Sequence, residues 1–475
     1  MAKFKELFAA KDLTEGPPWK RIIEFAIPML IGNIAQQFYN TADSIIVGKY
    51  IGDNALAAVG SASPILNLLL VLFVGISVGA GIMVSQYFGA KEREKLSRTI
   101  GTCITLTAIS SAIIMIIGPI VTRPLLSFLN TPNSIINWST DYLVIFFVGI
   151  AGLAYYNILA GVLRGLGDSI SALVFLLIST ALNVGLDILF VARFNMGVPG
   201  VALATVIAQS ISAILCVIKL MNMKSSFTLN WEMLKLNKEY SFKLIKLGLP
   251  SGLTQAIFSL AMIVVQSLTN SFGEMVIAAN VIIMRVDGFA MMPNFSFGSA
   301  MTTYTGQNVG AKKYDRVEKG TKDGIKIAVG VSTTITILIL IFGKHLMGVF
   351  TNTKELVDLS MHMMRILAVG YIAMAITQCL SGVMRGAGDT ITPMWISLIT
   401  TVVIRVPVAY GIAYLTRSAK YPTGRPESIF ISLLTSWVMG AIINTIFYKK
   451  GNWREKLLLI KAFTPILYPL PLNFL

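Results

Sequence analysis

The sequence predicts an all-α integral membrane protein whose twelve transmembrane helices form two pseudo-symmetric six-helix lobes. An apolar composition, long unbroken apolar segments and an internal repeat lead to this prediction. Of the 475 residues, 55% are hydrophobic and only 13% are charged, whereas soluble domains carry about 25% charged residues. With a mean hydropathy of +0.72, the chain is too apolar to bury in one soluble core, so lipid is the predicted solvent.

The apolar segments predict helices because a backbone in lipid must satisfy its own hydrogen bonds, as a helix or a closed barrel does. Stretches such as 173–191 and 325–342 lack the alternation of a barrel strand. Windows of about 20 apolar residues predict twelve spans. They are 22–46, 56–80, 99–121, 138–162, 170–191 and 199–220 in the first half, and 243–269, 276–302, 324–343, 361–384, 391–415 and 427–448 in the second.

These spans divide the chain into an N-terminal segment (1–21), an N-lobe (22–221), a linker (222–242), a C-lobe (243–448) and a tail (449–475). With both termini in the cytoplasm, 28 of the 39 Lys and Arg residues fall on the cytoplasmic side. The positive-inside rule therefore favours this orientation in the cytoplasmic membrane. Because these charges flank spans, the net charge of +16 does not indicate nucleic-acid binding. The apolar stretch 457–475 is too short and proline-rich for a thirteenth span.

The two halves repeat each other at an offset of about 221 residues. Gly89-Ala90-Lys91 recurs at 310–312, and each copy follows a glutamine, Gln86 or Gln307. Arg164-Gly-Leu-Gly-Asp168 recurs at 385–389, and Pro28 matches Pro250. Six spans per half give the halves the same orientation, related by an axis along the membrane normal, an arrangement in which transporters hold substrate between the halves. Locally, Asp168 and Asp389 are predicted to cap the helices that follow them.

Ionisable groups inside spans cost at least about 2.5 kcal/mol each, so they are the best pointers to function. Asp43 lies in the first span, on a polar stripe at helical spacing. The stripe also contains Asn33, Gln36, Gln37, Asn40 and Ser44. Such a stripe must face a wet cavity or another polar helix. Gln36, Gln37 and Asn40, with Gln209 of the sixth span, are candidates for lining a substrate cavity. The alternative is that Asp43 sits at the outer mouth near Lys49 and is simply solvated.

Two further polar pairs lie in the N-lobe. Asn183 and Asp187 share a face of the fifth span, and Thr205 and Gln209 form a similar pair in the sixth. Carboxylate, amide and hydroxyl oxygens suit Na⁺, by analogy with hard cations that prefer oxygen. The carboxylates could instead carry a proton, since burial disfavours their charged form, or the pairs could form a purely structural network. The second half has Ile404 and Val408 at the positions equivalent to Asn183 and Asp187, which argues against a generic packing role.

The second half carries charges of its own inside its spans: Arg285, Asp287, Arg365 and Arg405. An ion pair of Asp287 with one of these arginines would reduce the desolvation cost, and we favour that structural interpretation over a role in substrate binding or gating. Methionine and aromatic residues crowd the eighth span, and such side chains form adaptable surfaces for apolar cations. Asp287 and Met291 are therefore weaker candidates for the substrate cavity.

These motifs together resemble those of the MATE family, the multidrug and toxic compound extrusion transporters of the MOP superfamily, from about Trp19 to Lys450. The resemblance implies a V-shaped pair of lobes, antiport of substrate against Na⁺ or H⁺, and Pro28 as the bend point of the first helix. It also implies an N-lobe cation site. Matched to this chain, that site consists of Asp43, Asn183, Asp187 and Thr205, with Tyr142 as a neighbour. The NorM-type branch carries a glutamate in the seventh span, whereas residues 255–260 contain no acid here.

We therefore expect a monomeric antiporter that exports cationic drugs and toxic organic compounds in exchange for Na⁺ or H⁺, with no bound cofactor. One alternative within the superfamily is a flippase for a lipid-linked precursor, which would need a cationic groove from Arg285, Arg365 and Arg405. A more remote alternative is an integral-membrane enzyme. The sequence shows neither a histidine–carboxylate metal motif nor a nucleophile with a nearby base, and no phosphate-binding loop for an ATP-driven pump.

Overall fold

The computed structural model describes residues 10–223 and 226–451, which form a helical bundle. The predicted apolar tail at 457–475 lies outside these residues. The first half contains α1 (Pro18–Tyr50), α2 (Asp53–Gly89), α3 (Arg93–Phe128), α4 (Ile136–Val148), α5 (Ile150–Gly165), α6 (Ser169–Asp187) and α7 (Gly197–Met221). The second half contains α8 (Trp231–Leu234), α9 (Lys238–Ser271), α10 (Glu274–Gly310), α11 (Tyr314–Gly348), α12 (Lys354–Ala368), α13 (Gly370–Gly386), α14 (Ile391–Leu398), α15 (Arg405–Leu415) and α16 (Glu427–Lys450).

The helices account for the twelve predicted spans. Nine described helices are long and apolar enough to cross a membrane, and two bent pairs, α4–α5 and α12–α13, raise the number to eleven. The twelfth is α1, whose 33 residues extend about 50 Å but carry the polar stripe around Asp43. Short π-helical segments follow α6 at Ile188–Arg193 and join α14 to α15 at Ile399–Ile404. The predicted all-α fold of two six-helix lobes is confirmed.

The two bent spans break at positions that the repeat relates. The fourth span bends by 54° between α4 and α5, and the tenth bends by 43° between α12 and α13. Gly149 lies at the first break and Gly370 at the second. A Cβ at Gly149 would overlap Val206 on α7, and one at Gly370 would overlap Trp437 on α16. Both bends therefore depend on close approach to a neighbouring helix.

Gly149→Ala and Gly370→Ala are each expected to destabilise the protein by about 1–3 kcal/mol, because the added methyl group overpacks a tight helix contact. Gly185→Ala is the matched control: its Cβ would meet nothing within 4 Å, and alanine is the better helix former. Thermal unfolding of the purified variants in detergent measures the difference. If Gly149→Ala melted as high as Gly185→Ala, the bend would not depend on this contact.

The start of the first helix of each half packs in the core of the other half. Leu13, just before α1, and Ile22 and Phe25 in its first turns are buried in a cluster formed mainly by α10, α11 and α13. In the equivalent position, Tyr240 and Leu244 of α9 are buried in the N-lobe cluster. The predicted lobe boundaries at 22–221 and 243–448 follow the chain, whereas the packing crosses between the halves at both first helices.

Glycines allow a close crossing between the lobes, where α2 meets α9. Gly75 and Gly79 on α2 face Gly248 and Gly252 on α9, so that a Cβ at Gly75 would lie 2.7 Å from the carbonyl oxygen of Gly248. Small residues four apart on both helices allow the backbones to approach this closely in a membrane. The crossing anchors the second half to the first.

The repeated sequence motifs meet at one end of the bundle. The Gln86 amide donates to the carbonyl oxygen of Gly386 (2.8 Å), and the Gln307 amide donates to that of Gly165 (3.1 Å). Each half therefore places its glutamine on the glycine turn of the other, and we name these two hydrogen bonds the glutamine clasp. Gly89 packs against the backbone of Gln307, with no room for a Cβ.

Leu13 and Thr14, just before α1, cover the glutamine clasp. The Leu13 amide donates to Oε1 of Gln307 (2.8 Å), and Asn308 donates to the Leu13 carbonyl oxygen (3.2 Å). The Lys313 ammonium group donates to the carbonyl oxygen of Thr14 (3.0 Å). These contacts hold the segment before α1 across the C-lobe at the end where the lobes meet.

The two aspartates of the glycine turns cap helices, as their positions predict. Asp168 accepts hydrogen bonds from the backbone and hydroxyl of Ser171 (2.9 and 2.7 Å). Its Oδ2 atom also lies 3.3 Å from Nζ of Lys219. Asp389 accepts from the backbone and hydroxyl of Thr392 (3.2 and 2.8 Å). The turns therefore have a structural role in starting the fifth and eleventh spans.

Candidate functional site

The N-lobe contains a cavity of about 670 Å³, which we name the N-lobe cavity. Helices α1, α2 and α4–α7 line it. Most of the residues predicted for the site or the substrate cavity are among its lining residues. These are Pro28, Gln36, Asn40, Asp43, Tyr142, Thr205 and Gln209.

Three pairs of polar residues converge beside this cavity. Each pair is spaced by four residues, so its members share one face of a helix. The pairs are Tyr39 and Asp43 on α1, Asn183 and Asp187 on α6, and Thr205 and Gln209 on α7. All except Asp43, which is half-buried, are buried. The three helices thus present one cluster of oxygen atoms to the cavity wall.

The carboxyl groups of Asp43 and Asp187 face each other in this cluster. The amide of Asn183 donates to Oγ1 of Thr205 (3.2 Å). The hydroxyl group of Tyr39 faces Thr205 and Gln209. Tyr142 completes the wall, and its ring packs on Phe146 with the ring centroids 4.8 Å apart. The structure therefore brings Asp43, Asn183, Asp187, Thr205 and Tyr142 together.

The cluster contains more acceptors than donors. Within residues 10–223 and 226–451, six of its buried oxygen atoms have no hydrogen-bond partner: Tyr39 Oη, Asp43 Oδ1, Asn183 Oδ1, both carboxylate oxygens of Asp187 and Gln209 Oε1. Ionised carboxylates and amide oxygens only accept, so two facing carboxylates can bond only if one carries a proton. A buried acceptor without a donor costs about 1–3 kcal/mol. A proton or a hard cation at this position would remove that cost.

The oxygen ligands of this cluster suit a hard cation better than a transition metal. The described residues contain no group of three or more His, Cys, Asp or Glu side chains that could hold a metal ion. The oxygens here come instead from two carboxylates, two amides and two hydroxyl groups. Hard cations prefer such oxygen ligands, and the polar cavity beside them offers a route for entry.

A local irregularity in the backbone accompanies the site. Asp187 is the last α-helical residue of α6, and the π-helical segment Ile188–Arg193 begins directly after it. Such π-turns occur frequently at functional sites, because they redirect side chains on a helix. Asp187 therefore lies where the fifth span changes its helical pitch.

Three predicted substrate-cavity residues are placed elsewhere. Gln37, Asp287 and Met291 are absent from the lining of the N-lobe cavity and of the second large cavity described below. Gln37 is half-buried on another face of α1, because the face of Asp43 is shared by residues three, four or seven positions away and Gln37 is six away. Met291 is buried in the C-lobe core. We do not retain these three residues in the candidate site.

The C-lobe charges do not form the predicted contact pair. Among the described residues, no ion pair within 4.0 Å involves Asp287. The groups that act on its carboxyl are the Tyr371 hydroxyl and, at longer range, the Arg405 guanidinium. Arg285 and Arg365 are exposed, whereas Arg405 is buried against Met262. The three arginines therefore do not line a common groove, which removes the feature expected for the flippase alternative.

Tyr39 and Arg164 are site residues that the sequence reasoning missed. Tyr39 lies four residues before Asp43 and lines the N-lobe cavity, and this spacing was the signal that could have identified it. Arg164 lies in a repeated turn motif that was interpreted as local structure. Its guanidinium lies 3.4 Å from Oγ of Ser77 and lines both cavities.

Two related sets of six membrane helices around polar interior cavities define a membrane transporter. The sequence profile of the MatE family matches residues 28–189 and, a second time, residues 250–411. The chain therefore belongs to the MatE family. The second match begins at Pro250 and the first at Pro28, which also confirms the internal repeat.

The chain is similar along most of its length to several bacterial proteins. The "Probable multidrug resistance protein YoeA" of Bacillus subtilis is 29% identical and is aligned over 88% of this chain and 92% of its own. "Multidrug export protein MepA" of Staphylococcus aureus is 23% identical, over 79% and 83% of the two chains.

Solved structures share the fold. One described as the "outward-facing conformation of a multidrug resistance MATE family transporter of the MOP superfamily" gives a TM-score of 0.85 at 24% identity, covering 93% of this chain and 97% of its own. A MOP superfamily transporter from Pyrococcus furiosus, described by the "reverse polarity" of its binding pocket, gives 0.83 at 24% identity, covering 92% and 96%.

Proposed function

We propose that this protein is a secondary active antiporter that exports amphipathic organic cations, including drugs, in exchange for Na⁺ or H⁺. The observation that carries the proposal is the cluster around Asp43 and Asp187, whose buried oxygens lack donors. A carboxylate pair in this setting requires a mobile positive charge. The names of the relatives YoeA and MepA, which refer to multidrug resistance and export, support the same substrate class.

The proposed cycle alternates between two states. With the glutamine clasp closed, the N-lobe cavity faces the outside, and an external cation or proton binds at Asp43 and Asp187. Neutralising the carboxylates favours a second shape of α1, which bends at Pro28. Proline leaves a backbone carbonyl one turn earlier without its donor, so a bend there breaks no further hydrogen bond. The reshaped cavity releases substrate, and ion release to the cytoplasm resets the site.

Coupling requires that the ion bind the two states with different affinity. The site meets this requirement because α1 supplies Asp43 while α6 supplies Asp187. Any bend in α1 changes the separation of the two carboxyl groups and therefore the affinity for the ion between them.

The proposal places the protein in the cytoplasmic membrane as a monomer, with both termini in the cytoplasm and no resident cofactor.

Efflux from loaded proteoliposomes tests the proposal. Vesicles containing a fluorescent organic cation would receive either an inward Na⁺ gradient or an inward proton gradient, imposed separately and at zero membrane potential. We expect one of the two gradients to accelerate dye efflux by about tenfold or more over protein-free vesicles, because the ion that the site selects supplies the driving force. Equal efflux with and without both gradients would contradict antiport.

A further inference from the structure

A second cavity of about 400 Å³ lies mainly within the C-lobe and opens between the lobes; we name it the C-lobe cavity. Its walls come largely from α9, α10, α13, α14 and α16, with α1, α2 and α5 closing the side that faces the N-lobe. Nothing in the proposed ion site uses this space. The charged residues that line it are arginines, whereas the lining of the N-lobe cavity includes Asp43.

Two arginines related by the internal repeat, Arg164 and Arg385, line the C-lobe cavity. None of the described residues that line it is an aspartate or a glutamate. The Arg385 guanidinium has no hydrogen-bond or ion-pair partner in the part of the chain that the structure describes, and no charged group acts on it there. The Arg164 guanidinium donates to the Ser77 hydroxyl at 3.4 Å and forms no ion pair with a described residue. Guanidinium groups facing a cavity without a counter-charge are a ready binding site for an anion.

Neutral polar groups surround the two arginines. The hydroxyl groups of Ser251 and Thr377 are buried and have no partner among the described residues, and both residues line the cavity together with Gln255 and Gln378. Hydroxyl and amide groups can donate to an anion. Buried polar groups left without partners are costly, and an anionic group bound here would satisfy several of them at once.

We propose that the C-lobe cavity binds the anionic group, a carboxylate, sulfonate or phosphate ester, of an amphipathic substrate. The two cavities share Met29, Asn33 and Arg164 in their linings, so one molecule can reach both. A zwitterion would place its cationic end beside Asp43 and its anionic end at Arg385. This inference extends the proposed export function to zwitterionic and anionic amphiphiles.

Matched dyes test the proposal on the purified protein in detergent, independently of transport. One dye is a cationic rhodamine ethyl ester, and the other is the same rhodamine with its free carboxylate. In Arg385→Gln and in Arg164→Gln, the dissociation constant of the free-carboxylate dye is expected to rise by about tenfold, through loss of a charge-assisted hydrogen bond. In Arg385→Gln, the ester should bind as it does to the parent protein. Arg385→Lys should recover part of the difference.

Arg365→Gln is the matched control, since it removes the same charge from an exposed position of the same lobe.

Displacement of the acidic dye by short-chain phosphatidylglycerol, but not by phosphatidylcholine, would identify an anionic lipid as a source of the group. A carboxylate-selective loss without such displacement would identify the drug-like amphiphile. An equal loss for both dyes, or no loss for either in the folded variants, would overturn the proposal. If Arg385→Gln does not fold, Arg164→Gln and Arg385→Lys provide the same comparison.

Discussion

Asp187→Asn is expected to abolish ion-driven export while making the protein more stable. Transport should fall by about 100-fold or more, equivalent to at least about 2.7 kcal/mol, because the asparagine cannot alternate between a charged and a neutral form. The amide group can donate to Asp43, and removing one of two facing carboxylates relieves repulsion. The free energy of unfolding should therefore rise by about 1–3 kcal/mol. Gradient-driven dye efflux and thermal unfolding of the same preparation measure the two effects.

Asp141→Asn is the control for this variant, since it makes the same change at an exposed position of α4. It should leave both efflux and unfolding as in the parent protein. Asp43→Asn should resemble Asp187→Asn, because either carboxyl group alone cannot provide the coupled site. Normal gradient-driven export by both Asp43→Asn and Asp187→Asn would refute the ion-site assignment.

Gly89→Leu is expected to hold the protein open on the cytoplasmic side. A Cβ at Gly89 would overlap the backbone of Gln307, and helix backbones cannot shift away without separating the lobes and breaking the glutamine clasp. The alternative state should gain population by at least about tenfold, a shift of about 1.4 kcal/mol. A reporter cysteine at Ser299 in the C-lobe cavity, with Cys103, Cys216 and Cys379 replaced, would measure this shift. Its labelling by an impermeant maleimide in inside-out vesicles should accelerate correspondingly.

The control for this experiment is Gly288→Leu, because a Cβ at this position of α10 would meet nothing within 4 Å. Its labelling rate should equal that of the parent protein with the same reporter. If Gly89→Leu were labelled from the cytoplasmic side no faster than Gly288→Leu, then the contact between α2 and α10 would not control access to the cavity.

The spans and the polar pairs were predictable because both depend on local spacing. Twenty apolar residues indicate a span wherever they occur, and Asn183 with Asp187 share a face on any helix. Even α1 could be assigned despite its polarity, since the first half needs six spans to match the second. That these pairs meet Asp43 in one site followed from the resemblance to the MATE family, because spacing alone does not show which polar faces meet.

The tertiary contacts were not predictable from the same patterns. Gly149 and Gly370 occupy equivalent positions in the repeat. A glycine alone does not predict a bend in a membrane helix, because the sequence does not show which neighbouring helix packs against it. Gln86 and Gln307 were noticed as a repeated motif, but their bonds to Gly386 and Gly165 depend on how the two halves dock. Hydropathy places Asp287 inside a span but does not show which helix faces it. The expected contact between Asp287 and an arginine is absent among the described residues.

The packing of the start of α1 in the C-lobe core has a consequence for synthesis of the protein in the cell. Leu13 is bonded to Gln307, which lies 294 residues further along the chain. The beginning of α1 therefore enters the bilayer long before its packing partners leave the ribosome. Until α10 and α11 are inserted, its apolar face must rest against lipid or the insertion machinery. Burial of the start of α1 is thus completed only after the first helices of the C-lobe have been inserted.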